Sequence, residues 1–192
     1  MNRARRIALA SIASVAAAVA IAPSAFADTF LKVDGVQGES VANGMTNAID
    51  VNGFELGVAN TATIGGTSGT GTAGKAAFNE ITIDKYVDAT SPWFFQRLTT
   101  GQNIPTMELV VRKSGGTTTT TAPYLRYCIT TAFVTAQKHQ SGDDLPTETL
   151  TFRIGGMQES YAKQGAPSAI VSSWSQITAK PFSGSDLPAF CK

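Results

Sequence analysis

Leu125-Arg126-Tyr127-Cys128-Ile129-Thr130-Thr131-Ala132-Phe133 and, after a short connection, Leu150-Thr151-Phe152-Arg153-Ile154 decide the fold class of this chain. In the first stretch Leu125, Tyr127, Ile129, Thr131 and Phe133 share one parity, with Arg126, Cys128 and Thr130 on the other. In the second, Leu150, Phe152 and Ile154 alternate with Thr151 and Arg153. A period of two puts successive side chains on opposite faces of a strand, so both stretches read as strands with one face in a core. Ser141-Gly142-Asp143-Asp144-Leu145-Pro146 between them is rich in turn residues.

The same alternation continues outward in both directions. Thr29 to Val33 is a short apolar run. Ala48 to Val58 changes phase at Asn52-Gly53, with Ile49 and Val51 on one parity and Phe54, Leu56 and Val58 on the other, which signals a bulge or bend. Phe78 to Tyr86 places Ile81 and Ile83 on one face, and Met107, Leu109 and Val111 alternate with Glu108, Val110 and Arg112. Both read as half-buried strands. A further strand is expected within Ala169 to Thr178.

One segment reads as a helix, Thr90-Ser91-Pro92-Trp93-Phe94-Phe95-Gln96-Arg97-Leu98-Thr99-Thr100-Gly101. A Ser or Thr cap, proline in the first turn and glycine at the end mark its limits, and Phe94 with Leu98 faces the core. Residues 59 to 75 and 114 to 122 are Gly- or Thr-rich and nearly uncharged, the composition of long mobile loops. The expected class is mainly β: a barrel or sandwich with one short α-helix and long Gly/Thr-rich loops.

The first 27 residues read as an export leader to be removed. Arg3, Arg5 and Arg6 precede an alanine-rich run from Ile7 to Ala22, and Ala25-Phe26-Ala27 puts small residues at the cleavage positions, so the mature chain is expected to begin at Asp28. The run is shorter and less apolar than the roughly 20 residues of a membrane span. Residues 28 to 192 then form one domain, secreted or periplasmic, with no membrane span after cleavage. Removing the three arginines leaves 12 basic and 14 acidic groups, with no concentrated basic face, so nucleic acid is not an expected partner. An outer-membrane barrel would show aromatic girdles and more strand segments.

Cys128 and Cys191 are the two cysteines. In an exported chain they have only each other as an intramolecular partner, and a bridge would close a loop of about 64 residues, worth roughly 4 kcal/mol in the chain-entropy model. The competing arrangement is a buried thiol at Cys128 with Cys191 on a frayed terminus.

Signs of catalysis are scarce. Gly69-Thr70-Gly71-Thr72-Ala73-Gly74 fits G-x-G-x-x-G, but a strand rather than a helix follows, so the phosphate-binding use of that pattern is not expected. His139, the single histidine, sits at a polar strand end and reads as solvated. Asp143-Asp144 reads as a turn rather than a calcium site. There is no Gly-x-Ser-x-Gly elbow and no sign of an activated cysteine nucleophile. No catalytic, cofactor or metal residue is assigned.

Four segments in fixed order carry a family resemblance. Phe30 to Ser40, with Gly35, Gly38, Glu39 and Ser40 forming its turn, resembles the first strand and Gly-Glu-Ser turn of the haemolysin-coregulated protein (Hcp) family. Ile49 to Val58 resembles its second strand. Ile83 to Pro92, with Asp84, Ser91 and Pro92, resembles its strand-to-helix junction, and Pro146 to Ile154 its late strand beginning near a glutamate. Gly35 and Gly38 would also permit backbone conformations closed to other residues, while Asp84, Lys85 and Asp88 read as local surface pairs worth about 0–1 kcal/mol.

The resemblance implies a compact β-barrel, six copies of which form a ring; the rings stack into the tube of the type VI secretion system that delivers effectors. Function then resides in subunit surfaces, with self-association as the expected partnership and a secreted effector or envelope protein as a further partner. An independently exported module of this fold, binding an envelope or extracellular partner without an injection machine, is the alternative. Such tube subunits are normally made without a leader. The family's loop between its second and third strands helps rings stack, whereas here Ile64 is the one apolar anchor between Thr61 and Gly74. The tail from Gln164 to Lys192, with Trp174 and Cys191, extends beyond the family's usual end.

Overall fold

The computed structural model describes residues 27–64, 71–113, 122–141, 144–163, 166, 168–183, 187 and 191. Residues 1–26, which include most of the expected leader, residues 65–70 of the 59–75 stretch, residues 114–121 and residues 142–143 of the expected turn lie outside them. In chain order the elements are β1 (Ala27–Val33), β2 (Ile49–Val51), β3 (Gly53–Glu55), β4 (Val58–Thr63), β5 (Thr72–Phe78), β6 (Ile81–Tyr86), α1 (Ser91–Thr100), β7 (Ile104–Lys113), β8 (Leu125–Gln140), β9 (Thr147–Tyr161) and β10 (Ile170–Ser175).

Seven strands pair antiparallel in the order β2-β1-β7-β8-β9-β6-β3, and β2 and β3 are neighbours in the chain. The phase change at Asn52-Gly53 is the joint between them. Ile49 to Val51 pair with Leu31 to Thr29 of β1, whereas Gly53 to Glu55 pair with Asp84 to Thr82 of β6. Asn52 N–H donates to Asp84 C=O at 2.8 Å across the bend. A single kinked segment thus serves both ends of the sheet and brings them together, so the sheet curls into a nearly closed barrel.

The core is built from the alternation on these strands. Leu31, Ile49, Ile81, Ile83, Met107, Leu109, Ile129, Leu150 and Phe152 form one cluster with Phe94 of the helix, each with at most 1% of its surface exposed. Phe94 meets Phe152 edge-on at 5.9 Å between ring centroids, and Leu98 packs beside them, as the helix pattern requires.

The parity of β8 does not run straight through. Met107, Ile129 and Met157 form one cross-strand core row and Ile104, Ala132 and Ile154 the next, three residues apart on every strand instead of two. Thr131 takes a positive φ of 55° at this level, so β7, β8 and β9 change face together. As a result Thr131 does not join the core and Phe133 is turned outward.

β7 is buried on both faces rather than one, from Thr106 to Arg112. Its second face is roofed by the segment after β1, where Phe30, Met45, Ala48 and Val110 make a separate apolar cluster. Both flanks of the Gly/Thr-rich 59–75 stretch are strands: β4 and β5 pair only with each other, and every β4 residue is exposed. β10, from the tail, pairs with Gly156 to Tyr161 of β9, beyond the reach of β6, which pairs with Thr147 to Phe152.

Candidate functional site

Lys85 shares the inward parity of Ile81 and Ile83, and Glu148 that of Leu150 and Phe152; the β6–β9 register sets the two directly opposite. Both are fully buried, with Lys85 Nζ 2.9 Å from Glu148 Oε2. The ammonium also donates to Asp88 Oδ1 at 2.9 Å, the Tyr86 carbonyl at 3.0 Å and Ser91 Oγ at 3.2 Å. Ser91 in turn donates to Glu148 Oε2 and accepts from Asp88 N–H at 3.1 Å. Gln137 Nε2, from β8, donates to Glu148 Oε1 at 2.6 Å and to the Ser91 carbonyl at 3.1 Å. Burial opposes ionisation of Asp88, but hydrogen bonds from Thr90 and Lys85 outweigh it and hold the carboxyl below its ordinary 3.8.

This network is where the structure departs most from the sequence reading. Lys85 and Asp88 do pair, but as part of a buried cluster that includes Glu148, and Asp84 is not in it. Asp84 points outward and accepts from Thr149 Oγ1 at 2.6 Å. Ser91 is inside the cluster, whereas Pro92 is exposed in the first turn of α1. The helix cap also differs: Thr90 occupies the cap position without a side-chain capping bond. Its hydroxyl and its N–H both donate to Asp88 Oδ1, at 2.6 and 2.8 Å. Gly101 ends the helix in the left-handed conformation, φ 65°.

Ser91 Oγ within hydrogen-bond distance of Lys85 Nζ invites a Ser–Lys nucleophile reading. That chemistry needs a neutral lysine and a route for substrate. Lys85 Nζ is engaged by four acceptors, two of them carboxylates, and both residues are buried. His139, about half exposed, reaches Glu148 Oε1 only at 3.7 Å and extends the cluster to the surface. Among the described residues no group of three or more His, Cys, Asp or Glu is placed to hold a metal ion.

The turn residues are tied to this junction. Gly35 has φ 74°, and Val36 N–H returns to the Val33 carbonyl at 3.1 Å, closing a tight turn after β1. Gly38 serves differently: a Cβ there would lie 2.2 Å from the Ala48 carbonyl oxygen. Gly38 N–H donates to Asn47 C=O at 2.8 Å and Ser40 N–H to Ala48 C=O at 3.0 Å. Buried Ser40 also accepts from Ala42 N–H at 3.3 Å, and Glu39 Oε1 accepts from Ala89 N–H at 3.1 Å, linking the turn to the start of the helix. Gly38→Ala is expected to lower unfolding stability by about 1–3 kcal/mol, since the backbone must shift to admit the methyl group. Urea denaturation is the measurement; a loss under about 0.5 kcal/mol, the range of neutral surface changes, contradicts it.

On the outer face of β8, Cys128 is joined to Cys191, with Cα atoms 5.7 Å apart, and the bridge packs with Leu187 and Phe182. Beside it Glu108 is fully buried, bound by Arg126 through Nε at 2.6 Å and with Lys32 at 3.7 Å. Burial pushes the Glu108 carboxyl above its ordinary 4.5, with Arg126 and Lys32 pulling the other way. A cavity of about 300 Å³ lies between Glu108, Arg126, Gln158, Ser160 and the disulfide.

These features describe a nearly closed antiparallel barrel whose sheet ends meet at a kinked strand, with one lateral helix anchored through a buried ion cluster. The chain belongs to the family described as type VI secretion system effector, Hcp, whose model matches residues 30–161. A solved type six secretion system protein is 30% identical, with TM-score 0.70 over 81% of this chain and 99% of that one. Hcp1 from Salmonella typhimurium is 24% identical, with TM-score 0.67 over 82% of this chain and 100% of that one. A type VI secretion system effector from Yersinia pestis is 23% identical, with TM-score 0.62 over 77% and 99%. The likeness of these last two is one of fold. All three shares exceed the stretch 30–161, so the likeness in shape runs past the limits of the family match. No curated protein matches the chain significantly.

Proposed function

We propose that this protein is a ring-forming, non-catalytic subunit of the type VI secretion tube class, exported by a leader that ends at Ala27 and is then removed. The observation that carries the reading is the family match over residues 30–161 together with the nearly closed barrel. The barrel wall leaves little main-chain edge for joining copies, so ring contacts come mainly from side chains on its outer faces, and cyclic closure needs two different complementary patches per subunit. The ring is a hexamer, as the family resemblance implies, and secreted effector proteins are its cargo.

Stacking of rings is the weaker step. The β4–β5 ribbon occupies the place of the family's stacking loop. It pairs with no other strand, and a two-stranded ribbon alone is marginal in water, so ordering it against another ring costs conformational entropy. The mature protein is therefore expected to form six-membered rings that pile into tubes poorly. Multi-angle light scattering with negative-stain imaging at micromolar concentration checks this. A strict monomer defeats the ring, and long regular tubes defeat the account of the ribbon.

A further inference from the structure

We infer that this barrel closes only after transport and after leader removal, because the bond to be cut lies inside its first strand. The inference rests on the export reading of residues 1–27 and adds an order of events to it. Ala27 and Asp28 are the first two residues of β1, in register with Lys113 and Arg112 of β7. The ladder continues without a break to Val33 opposite Met107, and from Thr29 to Leu31 β1 is paired on its other side with β2 as well. Arg112 lies 3.6 Å from the Asp28 carboxylate, donates to the Asn43 carbonyl and stacks over Phe30 at 4.6 Å. Phe30 and Leu31, the third and fourth residues after the bond, are 3% and 0% exposed.

A processing peptidase must hold an extended stretch on both sides of the bond it cuts. Fraying of Ala27 alone frees only the leader side. To present Asp28, Thr29 and Phe30 as well, β1 must leave β7 and β2, opening the barrel and exposing Phe30. Such an opening lies near the global end of the scale of local unfolding.

The disulfide gives the same order independently. Cys128 lies in the middle of the sheet and Cys191 63 residues later, so the bridge cannot form until the chain has been made and transported through Cys191. The bridged cysteines are 4% and 5% exposed, and such a bridge persists in an oxidising compartment, so oxidation follows transport. The chain therefore crosses the membrane unfolded and reduced, and subunits assemble on the far side.

The test uses the full-length precursor, refolded with its leader attached, and detergent-solubilised leader peptidase. A second precursor carries a flexible Gly/Ser spacer between Ala27 and Asp28, which moves the cleavage motif clear of β1. The spacer precursor and the urea-unfolded precursor are expected to be cut after Ala27, the latter giving Asp28 as the new terminus by mass spectrometry. The folded precursor is expected to be cut on the order of 100-fold more slowly. Equal rates for folded and spacer precursors overturn the inference. If neither the spacer nor the unfolded precursor is cut at Ala27, the leader reading itself fails and takes the inference with it. Thiol trapping in cells is a second readout: leader-bearing chains should carry two alkylatable thiols, and a leader-bearing species already bridged overturns the proposed order.

Discussion

Glu148→Ala is expected to destabilise the barrel by about 3–5 kcal/mol, because it leaves Lys85 buried with one of its two carboxylates gone. Asp88 remains as a counter-ion, but it is partly solvated and already shared with Thr90. Ser91 and Gln137 also lose an acceptor, and an unsatisfied buried donor costs about 1–3 kcal/mol. Substituting both sides with apolar residues of similar size, Lys85→Met with Glu148→Leu, is expected to recover much of the loss, since such replacements of buried ion pairs are often neutral. Equilibrium urea unfolding of the two singles and the double separates the cases. A single-mutant loss below about 1 kcal/mol would show that water reaches Lys85 and that the cluster is not an enclosed one.

Breaking the bridge is expected to cost nearly as much. Cys191→Ser frees a loop whose ends lie 63 residues apart, and the chain-entropy model assigns such a closure about 4 kcal/mol; native disulfides of secreted domains typically return about 2–5 kcal/mol. The contacts next to the bridge do not replace it, because among the described residues the apolar cluster around it contains only Leu187 and Phe182 besides the cysteines. A drop of about 2–4 kcal/mol in air-oxidised protein is the expected result. Non-reducing peptide maps should recover the Cys128–Cys191 pair, and two freely alkylated thiols in native, air-exposed protein would rule the bridge out.

How far the sequence reveals this molecule depends on how local the cause is. The bend at Asn52-Gly53 was legible because a parity change within a few residues has few other meanings, and the helix because its proline and glycine lie at its two ends. The change of face along β7 to β9 was not legible. It requires Thr131 in a left-handed conformation, which a β-branched residue seldom adopts, and no local signal marks it.

The buried cluster was half legible. Lys85 continues the parity of Ile81 and Ile83, and Glu148 that of Leu150 and Phe152, so each charge stood on an inward-facing position. What the sequence does not provide is the register that sets them opposite each other, and without it a lysine near two aspartates reads as a surface pair. Glu108 was hidden for the same reason. Its side chain is enclosed by Lys32 of β1, Arg126 of β8 and Cys191 of the tail, and coverage by segments distant in sequence leaves no trace in alternation.

The shared change of face on β7, β8 and β9 also restricts how these strands can vary in length. Because the rows Met107-Ile129-Met157 and Ile104-Ala132-Ile154 are matched residue for residue, losing one residue from β8 between Ile129 and Ala132 would slip the rest of that strand against both neighbours. Repairing the slip would take a compensating change in β7 and β9 at the same level. Insertions and deletions are thus tolerable singly in the β4–β5 ribbon, where no third strand keeps count, but at the change of face on β7, β8 and β9 only as a coordinated set of three.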